Sequence, residues 1–330
     1  MGIKKVKDQS IETLRGIAVI LVVAGFIVQG EYAFVGSGTR FQSWLYFIYN
    51  CLVPVRMPLF TVISAYLYAH SPATRETLGK LIRGKFSRLG YPFFVVSTIQ
   101  YVILSLLHVQ GDNPIGEIYR IYLWPFHQFW FIWAIFWIFM LIGYLDSIKA
   151  LETTRQWFAW LALFTVCNIA LDPPTLLGLS GINYLLPFFL LGYGISRFAK
   201  ELFTPRMIVL YTVMTLLTYA VYIYFRKIPH SGPFYKTLAL ACSFSVVPLV
   251  VHFRRNVPWL AAIGYYAFGI HIFCRIAIAF FQVLLKRLNY NNEQFNFVIL
   301  LGAGIVCAIG IQRLVERVPV ARKYILGMKD

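Results

Sequence analysis

The sequence predicts an all-α integral membrane protein, and three observations support this fold class. Hydrophobic residues make up 59% of the 330 residues and charged residues only 13%, and the mean hydropathy is +0.68. That share of apolar side chains is more than a soluble domain buries in its core. The apolar residues also gather into runs of about 20 residues, the length that an α-helix needs to cross the hydrocarbon of a bilayer.

Ten such runs divide the chain, and they predict about ten transmembrane helices in a single membrane domain, residues 1–330, without a soluble extension. Lysines precede the first run, which is too long for a signal peptide and lacks its cleavage pattern, so we interpret it as an uncleaved anchor. The runs lie near residues 14–30, 43–70, 90–110, 128–146, 156–172, 182–198, 207–226, 233–252, 258–285 and 295–312.

The second run is longer than one crossing needs and contains Pro54, Arg56 and Pro58. Because proline lacks a backbone N–H and its ring clashes with the preceding turn, this spacing predicts a broken helix near Arg56. Non-helical backbone at membrane depth occurs where protein or a water-filled cavity surrounds it, so we interpret the break as a cavity wall. An arginine inside a span is costly unless it is paired or solvated, which favours a functional role for Arg56 over a structural pair.

The basic residues predict the orientation of the helices. An even number of spans places both termini on one side, and 21 of the 30 Lys and Arg residues then fall on that side, against six on the other. Loops on the cytoplasmic side of a membrane carry such an excess, so both termini are predicted to be cytoplasmic. The same distribution accounts for the net charge of +17 without a nucleic-acid partner.

The cysteines give no sign of a disulfide framework or a metal site. All five lie in apolar runs, and none of them forms a CxxC motif. They are therefore interpreted as small buried side chains.

The densest basic segment lies between the second and third runs. Lys80, Arg83, Lys85 and Arg88 follow one another at spacings that line much of a short amphipathic helix. A solvated loop facing lipid headgroups is the alternative interpretation, especially for Arg75 and Lys80.

Four motifs resemble those of the membrane acyltransferase-3 family, multi-spanning enzymes that O-acylate glycans and lipids. The motifs are Glu12-x-Leu-Arg15-Gly in the first span, Arg56-x-Pro-Leu-Phe60 in the second, Lys85-x-x-Arg88 before the third and His127-x-x-Trp130-Phe in the fourth. The resemblance covers nearly the whole chain in the order of its spans.

The resemblance implies transfer of an acyl group, most often acetyl, from acyl-CoA to a hydroxyl of a glycan or lipid-linked acceptor. Acyl-CoA is then a donor substrate, and no cofactor or metal is held tightly. Coenzyme A carries several phosphate charges, so cations at the membrane surface are suited to bind it. The implied donor-binding residues are Arg15, Arg56, Arg83, Lys85 and Arg88.

Position 26 departs from the family pattern. The family has a catalytic histidine eleven residues after the arginine that matches Arg15, and this chain has Phe26. Eleven residues are close to three helical turns, so Arg15 and Phe26 share one face about 16 Å apart along the axis. Histidine can take and return a proton near neutral pH, and phenylalanine cannot. Either another residue supplies the base, or transfer activity is lost, or Phe26 replaces a natural histidine.

His127 is the first candidate for a substitute proton acceptor or for a contact to the acceptor saccharide, because it matches the family motif. With Arg15 and position 26 it completes the implied catalytic set. Histidine beside tryptophan is also typical of the aromatic belt at a membrane interface. His271 and Cys274 stand three residues apart on one helical face, and we interpret them as packing residues in preference to a catalytic pair.

Two other classes of function remain open. A transporter, or a non-catalytic partner in polysaccharide export, would use intramembrane cations such as Arg56, Lys236 and Arg275 as an anion pathway. The matched halves typical of many transporters are not evident in the sequence. A pseudoenzyme would bind acyl-CoA as a sensor without transferring it. In each case membrane lipids are partners, a homo-oligomer is allowed, and a bacterial cytoplasmic membrane is the expected location.

Overall fold

The computed structural model describes residues 8–29, 40–106, 115–225, 232–290 and 292–328. Within these ranges every regular element is a helix and no β-strand occurs, which confirms the predicted all-α class. The lysines that precede the first run lie outside the described residues.

Fifteen helices follow one another in the described chain. They are α1 (Gln9–Gln29), α2 (Arg40–Tyr68), α3 (Leu78–Lys85), α4 (Tyr91–Leu106), α5 (Arg120–Leu123), α6 (Phe129–Ser147), α7 (Thr154–Ala170), α8 (Leu179–Arg197), α9 (Ala199–Leu202), α10 (Pro205–Tyr224), α11 (Pro233–His252), α12 (Pro258–Tyr265), α13 (Ala267–Arg287), α14 (Glu293–Glu316) and α15 (Pro319–Ile325). Short 3-10 turns at Ile115–Glu117 and Leu176–Gly178 and a π-helical turn at Phe86–Gly90 complete the regular structure there.

Nine helical segments in the described part of the chain are long and apolar enough to cross a bilayer. A further helix, α7, has 17 residues and coincides with the fifth predicted run, which is just long enough for a crossing. The prediction of about ten spans is therefore confirmed. The helical segment that contains the third span begins earlier than predicted, at Leu78, because α3, the π-helical turn and α4 follow one another without a loop.

The two ends of the described chain lie at the same end of the helix bundle. Arg15, near the start of α1, and Arg88, in the π-helical turn, line one cavity. Arg88 also donates a hydrogen bond from Nη1 to the carbonyl of Leu326, close to the C-terminus, over 3.4 Å. The orientation of this end toward the cytosol stays a prediction.

The predicted break near Arg56 is wrong, because α2 continues as one helix of 29 residues through both prolines. Pro54 and Pro58 remove the backbone donors that would reach the carbonyls of Asn50 and Pro54, four residues earlier. Hydroxyl groups of neighbouring helices donate to these two carbonyls instead. Tyr222 on α10 lies 3.1 Å from the Asn50 oxygen, and Ser243 on α11 lies 2.6 Å from the Pro54 oxygen. Such replacement lets a membrane helix keep its course past proline.

The same replacement occurs in α8, which contains Pro187. The carbonyl four residues earlier belongs to Asn183, and it accepts a hydrogen bond from Nδ2 of Asn168 on α7 over 2.8 Å. Three of the prolines inside helices of the described chain are therefore matched to polar side chains on neighbouring helices, and these bonds also tie the helices together.

Helix α1 lies at the centre of the bundle and packs against α2, α12, α13 and α14. Its Val19, Val22, Val23 and Ile27 are fully buried. Helix α10, in contrast, presents many aliphatic side chains to its surroundings, with Leu216 68% exposed. An apolar face of this kind is suited to lipid, as the membrane assignment requires.

Candidate functional site

A cavity of about 330 Å³ opens among α1, α2, α6, α12, α13 and the π-helical turn. Its basic side chains separate into two groups: three cations near the end where α1 begins, and a histidine among aromatic rings further along. The lining includes Arg15, Phe60, Lys85, Arg88, Phe131 and His271.

Three basic side chains form the cationic end of the cavity. Arg15 pairs with Glu12, with 2.9 Å between Nη1 and Oε1. The ammonium of Lys85 lies 3.3 Å from the centre of the Phe139 ring, and the guanidinium of Arg88 lies 5.0 Å from the ring of Phe268. Glu12 pairs with Arg15, Glu316 adds a second negative charge near Arg88, and the aromatic faces hold Lys85 and Arg88 in place. The end is suited to a ligand with several negative charges.

The π-helical turn Phe86–Gly90 places Lys85 and Arg88 at this end. π-Helical turns are rare in proteins, and those that occur are often found at functional sites. The C-terminal segment supports the turn: Gly327 has a φ of +61°, and a Cβ there would lie 2.3 Å from the Ser87 carbonyl oxygen. Only glycine allows this close approach in that conformation.

His271 on α13 lines the cavity away from the cations and is only 3% exposed. Three aromatic rings surround its imidazole, with centroid distances of 6.4 Å to Phe26, 6.1 Å to Phe60 and 5.3 Å to Phe131. Its Nε2 lies 3.3 Å from the backbone carbonyl of Gln128. Within the described residues its buried Nδ1 has no hydrogen-bond partner.

Gln128 is fixed in turn by its own side chain. Its Nε2 donates to Oε1 of Gln100 on α4 over 2.7 Å and lies 3.3 Å from the carbonyl of Ile272 on α13. Both glutamines are fully buried. The segment before α6, the middle of α4 and the start of α13 are therefore held together at the level of His271.

The structure brings three of the five sequence-predicted donor-binding residues together, namely Arg15, Lys85 and Arg88. Arg83 is exposed on α3 and is not among the residues that line the cavity. Arg56 lies one helical turn before the cavity residue Phe60 and is likewise not among the lining residues.

Arg56 is instead buried against α1 and against its own helix. Its Nη2 donates to the hydroxyl of Tyr49 over 2.7 Å, and its guanidinium lies 4.6 Å from the Tyr49 ring. A Cβ on Gly25 would lie 1.8 Å from Nη1, so α1 leaves space for the arginine at this glycine. A hydrogen bond to a buried phenol and a ring face reduce the cost of a cation in this apolar position.

The structure does not place His127 among the residues that line this cavity. It has a positive φ of 45°, and its ring lies 4.0 Å from that of Phe126. Phe26, in contrast, lies directly beside His271 and has the guanidinium of Arg275 5.4 Å from its ring. The roles assigned to His127 and to position 26 stay predictions.

Sequence reasoning did not select His271 as a functional residue. The signal in the sequence was its spacing from Cys274, but the Cys274 thiol lies 3.8 Å from the backbone carbonyl of His271, within its own helix. What distinguishes His271 is its place in the cavity and its contact to Gln128, which only the tertiary structure shows. No group of His, Cys, Asp and Glu side chains able to hold a metal ion is found in the described chain.

With this geometry established, comparison with known proteins defines the family. The sequence profile described as "Acyltransferase domain" matches residues 8–313. The chain belongs to the acyltransferase-3 family. The match extends from the start of α1 nearly to the end of α14, so it includes every helix that lines the cavity.

Two curated relatives share the name "Nodulation protein NolL". The protein from Mesorhizobium japonicum (strain LMG 29417 / CECT 9101 / MAFF 303099) is 25% identical over 187 residues, which are 57% of this chain and 47% of the relative. The protein from Sinorhizobium fredii (strain NBRC 101917 / NGR234) is 26% identical over 198 residues, 59% of this chain and 50% of the relative. The matched regions span about half the length of these relatives, and no solved structure matches the chain.

Proposed function

We propose that this family member transfers an acyl group, acetyl in the simplest case, from acyl-CoA to a hydroxyl of a glycan or lipid-linked saccharide. One observation carries the proposal: a single cavity joins three cations at one end to an imidazole at the other. The cations match the phosphates of coenzyme A, and the imidazole matches the proton that an attacking hydroxyl must lose.

The length and lining of the cavity support this arrangement of the donor. Phe139, which holds Lys85, and Phe131, which contacts His271, are eight residues apart on α6, a rise of about 12 Å. The nucleotide of the donor would bind at Arg15, Lys85 and Arg88, and its narrow pantetheine arm would extend along the aromatic wall toward His271. Fixing the thioester beside the acceptor hydroxyl supplies much of the rate in such a reaction.

The proposal also implies the orientation of the protein in the membrane. Acyl-CoA is a cytosolic metabolite, so the cationic end faces the cytosol, and this agrees with the orientation predicted from the basic residues. The acceptor approaches His271 from the opposite leaflet or from the lipid. The protein would thus act in a bacterial cytoplasmic membrane.

The test uses the purified protein in lipid nanodiscs with radiolabelled acetyl-CoA and a panel of saccharide acceptors. We expect donor binding and acceptor-dependent transfer of the label. Free coenzyme A should displace the donor, whereas pantetheine, which lacks the nucleotide and its phosphates, should compete poorly. Absence of donor binding in a folded preparation would refute the proposal.

A second function, non-catalytic binding of acyl-CoA, is favoured by one observation, namely Phe26 at the position of the expected histidine. It predicts donor binding of the same strength with no transfer to any acceptor. It also predicts that transfer begins only when Phe26→His restores an imidazole on α1.

A further inference from the structure

We infer that His271 is the general base of this site and takes the proton from the acceptor hydroxyl. The inference rests on the proposed acyl transfer, which it makes specific. It arises from the cavity and the surroundings of the ring, because His271 combines a place in the cavity lining with a buried ring nitrogen that no described residue engages.

The hydrogen bond to Gln128 determines which nitrogen can act. A backbone carbonyl only accepts hydrogen bonds, so the Nε2 atom 3.3 Å from the Gln128 oxygen carries the proton in the neutral ring. Nδ1 then has a free electron pair and is a proton acceptor. This is the relation by which a carbonyl or carboxylate at one nitrogen orients a catalytic histidine and assigns its tautomer.

The surroundings keep this arrangement fixed. Gln128 cannot turn its carbonyl away, because its side chain is bound to Gln100 on α4 and lies against the Ile272 carbonyl on α13. The rings of Phe26, Phe60 and Phe131 restrict the imidazole from three directions. A base held in this way keeps its tautomer and its orientation, and the apolar walls exclude water that would hydrolyse the thioester.

His271 and the two substrates together account for every bond and proton in the transfer. Nδ1 takes the proton of the acceptor hydroxyl while its oxygen forms a bond to the thioester carbonyl carbon. The carbon–sulfur bond breaks, and the imidazolium returns the proton to the thiolate that leaves. The products are an ester and free coenzyme A, and His271 is again neutral for the next cycle.

The primary test compares His271→Gln with the unaltered protein in nanodiscs. Loss of a general base lowers the rate by about 10²–10⁴-fold, so we expect at least a 100-fold lower turnover with unchanged acyl-CoA affinity. His252→Gln is the matched control, since His252 stacks on Phe203 at the end of α11 and does not line the cavity. Transfer by His271→Gln within threefold of the unaltered protein would overturn the inference.

A second pair of variants separates a chemical role from a structural one. The rings of Phe26 and His271 are neighbours, so Phe26→His combined with His271→Phe exchanges them within the same space and conserves the total volume. We expect this double variant to recover at least tenfold over His271→Phe alone. Equal inactivity of the two, with donor binding intact in both, would contradict proton transfer at this place.

Failure of the inference and failure of the proposed function give different results. If the unaltered protein neither binds nor transfers acyl-CoA, the proposed function itself is wrong. If it transfers and His271→Gln transfers equally well, the function stands and another base acts, with His127→Gln as the next variant to assay. Binding without transfer that Phe26→His converts into transfer would show that His271 does not serve as the base.

Discussion

The hydroxyl of Ser243 is expected to replace the backbone hydrogen bond that Pro58 removes from α2. Proline at position 58 has no N–H, so the Pro54 carbonyl has no donor from its own helix. Ser243 on α11 lies 2.6 Å from that carbonyl oxygen. Removing the hydroxyl with Ser243→Ala should therefore destabilise the protein, and restoring the N–H with Pro58→Ala should remove most of that cost.

The magnitude follows from the bond and its surroundings. Hydrogen bonds between membrane helices contribute about 0.6 kcal/mol on average and at most about 1.7 kcal/mol. Ser243 is 1% exposed, which places its bond toward the upper part of this range. We expect Ser243→Ala to cost about 1–1.5 kcal/mol in the native sequence and close to zero in the Pro58→Ala background, where the new N–H donates to the same oxygen. The same hydroxyl also lies 2.8 Å from the Ala239 carbonyl of its own helix. That contact is present in both backgrounds, so the coupling free energy isolates the bond to the Pro54 carbonyl.

The assay is reversible unfolding of the four proteins of this cycle in bicelles. Ser245→Ala provides the control, because the Ser245 hydroxyl bonds only to the carbonyls of Ala241 and Cys242 within its own helix among the contacts described. Its cost should be equal in both backgrounds. An equal cost of Ser243→Ala in both backgrounds would show that the hydroxyl does not compensate for the proline, and the explanation for the continuity of α2 would be wrong.

Two further predictions concern the packing and the cationic end of the cavity. Gly264→Ala places a Cβ 1.8 Å from the Glu12 carbonyl oxygen, so α12 must shift. The free energy of unfolding should fall by about 1–3 kcal/mol, which a lower melting temperature reports. Gly302→Ala is the control and should leave the melting temperature nearly unchanged, because its Cβ meets no neighbouring atom of the described chain within 4 Å. Lys85→Met should weaken acyl-CoA binding by about 10- to 100-fold, as expected for the loss of a hydrogen bond between charged groups. Arg206→Met removes an exposed cation and should leave the affinity unchanged. Equal effects of the two substitutions in a binding titration would contradict a specific contact between Lys85 and a phosphate.

The number and order of the spans could be predicted because a bilayer selects for local properties of the chain. A run of about 20 apolar residues is visible in the sequence without any knowledge of its neighbours. The helix α3 could also be predicted from local sequence, since the spacing of Lys80, Arg83, Lys85 and Arg88 favoured a short helix there. That Arg15 meets Lys85 and Arg88 was an expectation of the family resemblance, and the cavity agrees with it.

The course of α2 could not be predicted from its own residues. Pro54 and Pro58 do break a helix when their freed carbonyls find no donor. The donors here are Tyr222 and Ser243, which follow the prolines by more than 160 residues and reach α2 only through tertiary packing. The position of Arg56 could not be predicted for the same reason. The continuous helix places it one turn before Phe60, outside the cavity lining, and against Gly25 of α1.

His271 was beyond sequence reasoning for a related reason, since its distance from the cationic end is set by the contact between α1 and α12. A Cβ on Gly16 would lie 2.1 Å from the Leu260 carbonyl oxygen, so the two backbones are in direct contact. Direct backbone contact leaves no flexible side chain between the helices, and it fixes Arg15 relative to α12. Because α13 begins two residues after α12 ends, the position of His271 is fixed by the same contact. The cationic end and the proposed base therefore keep a constant separation, which the proposed transfer from a bound donor requires.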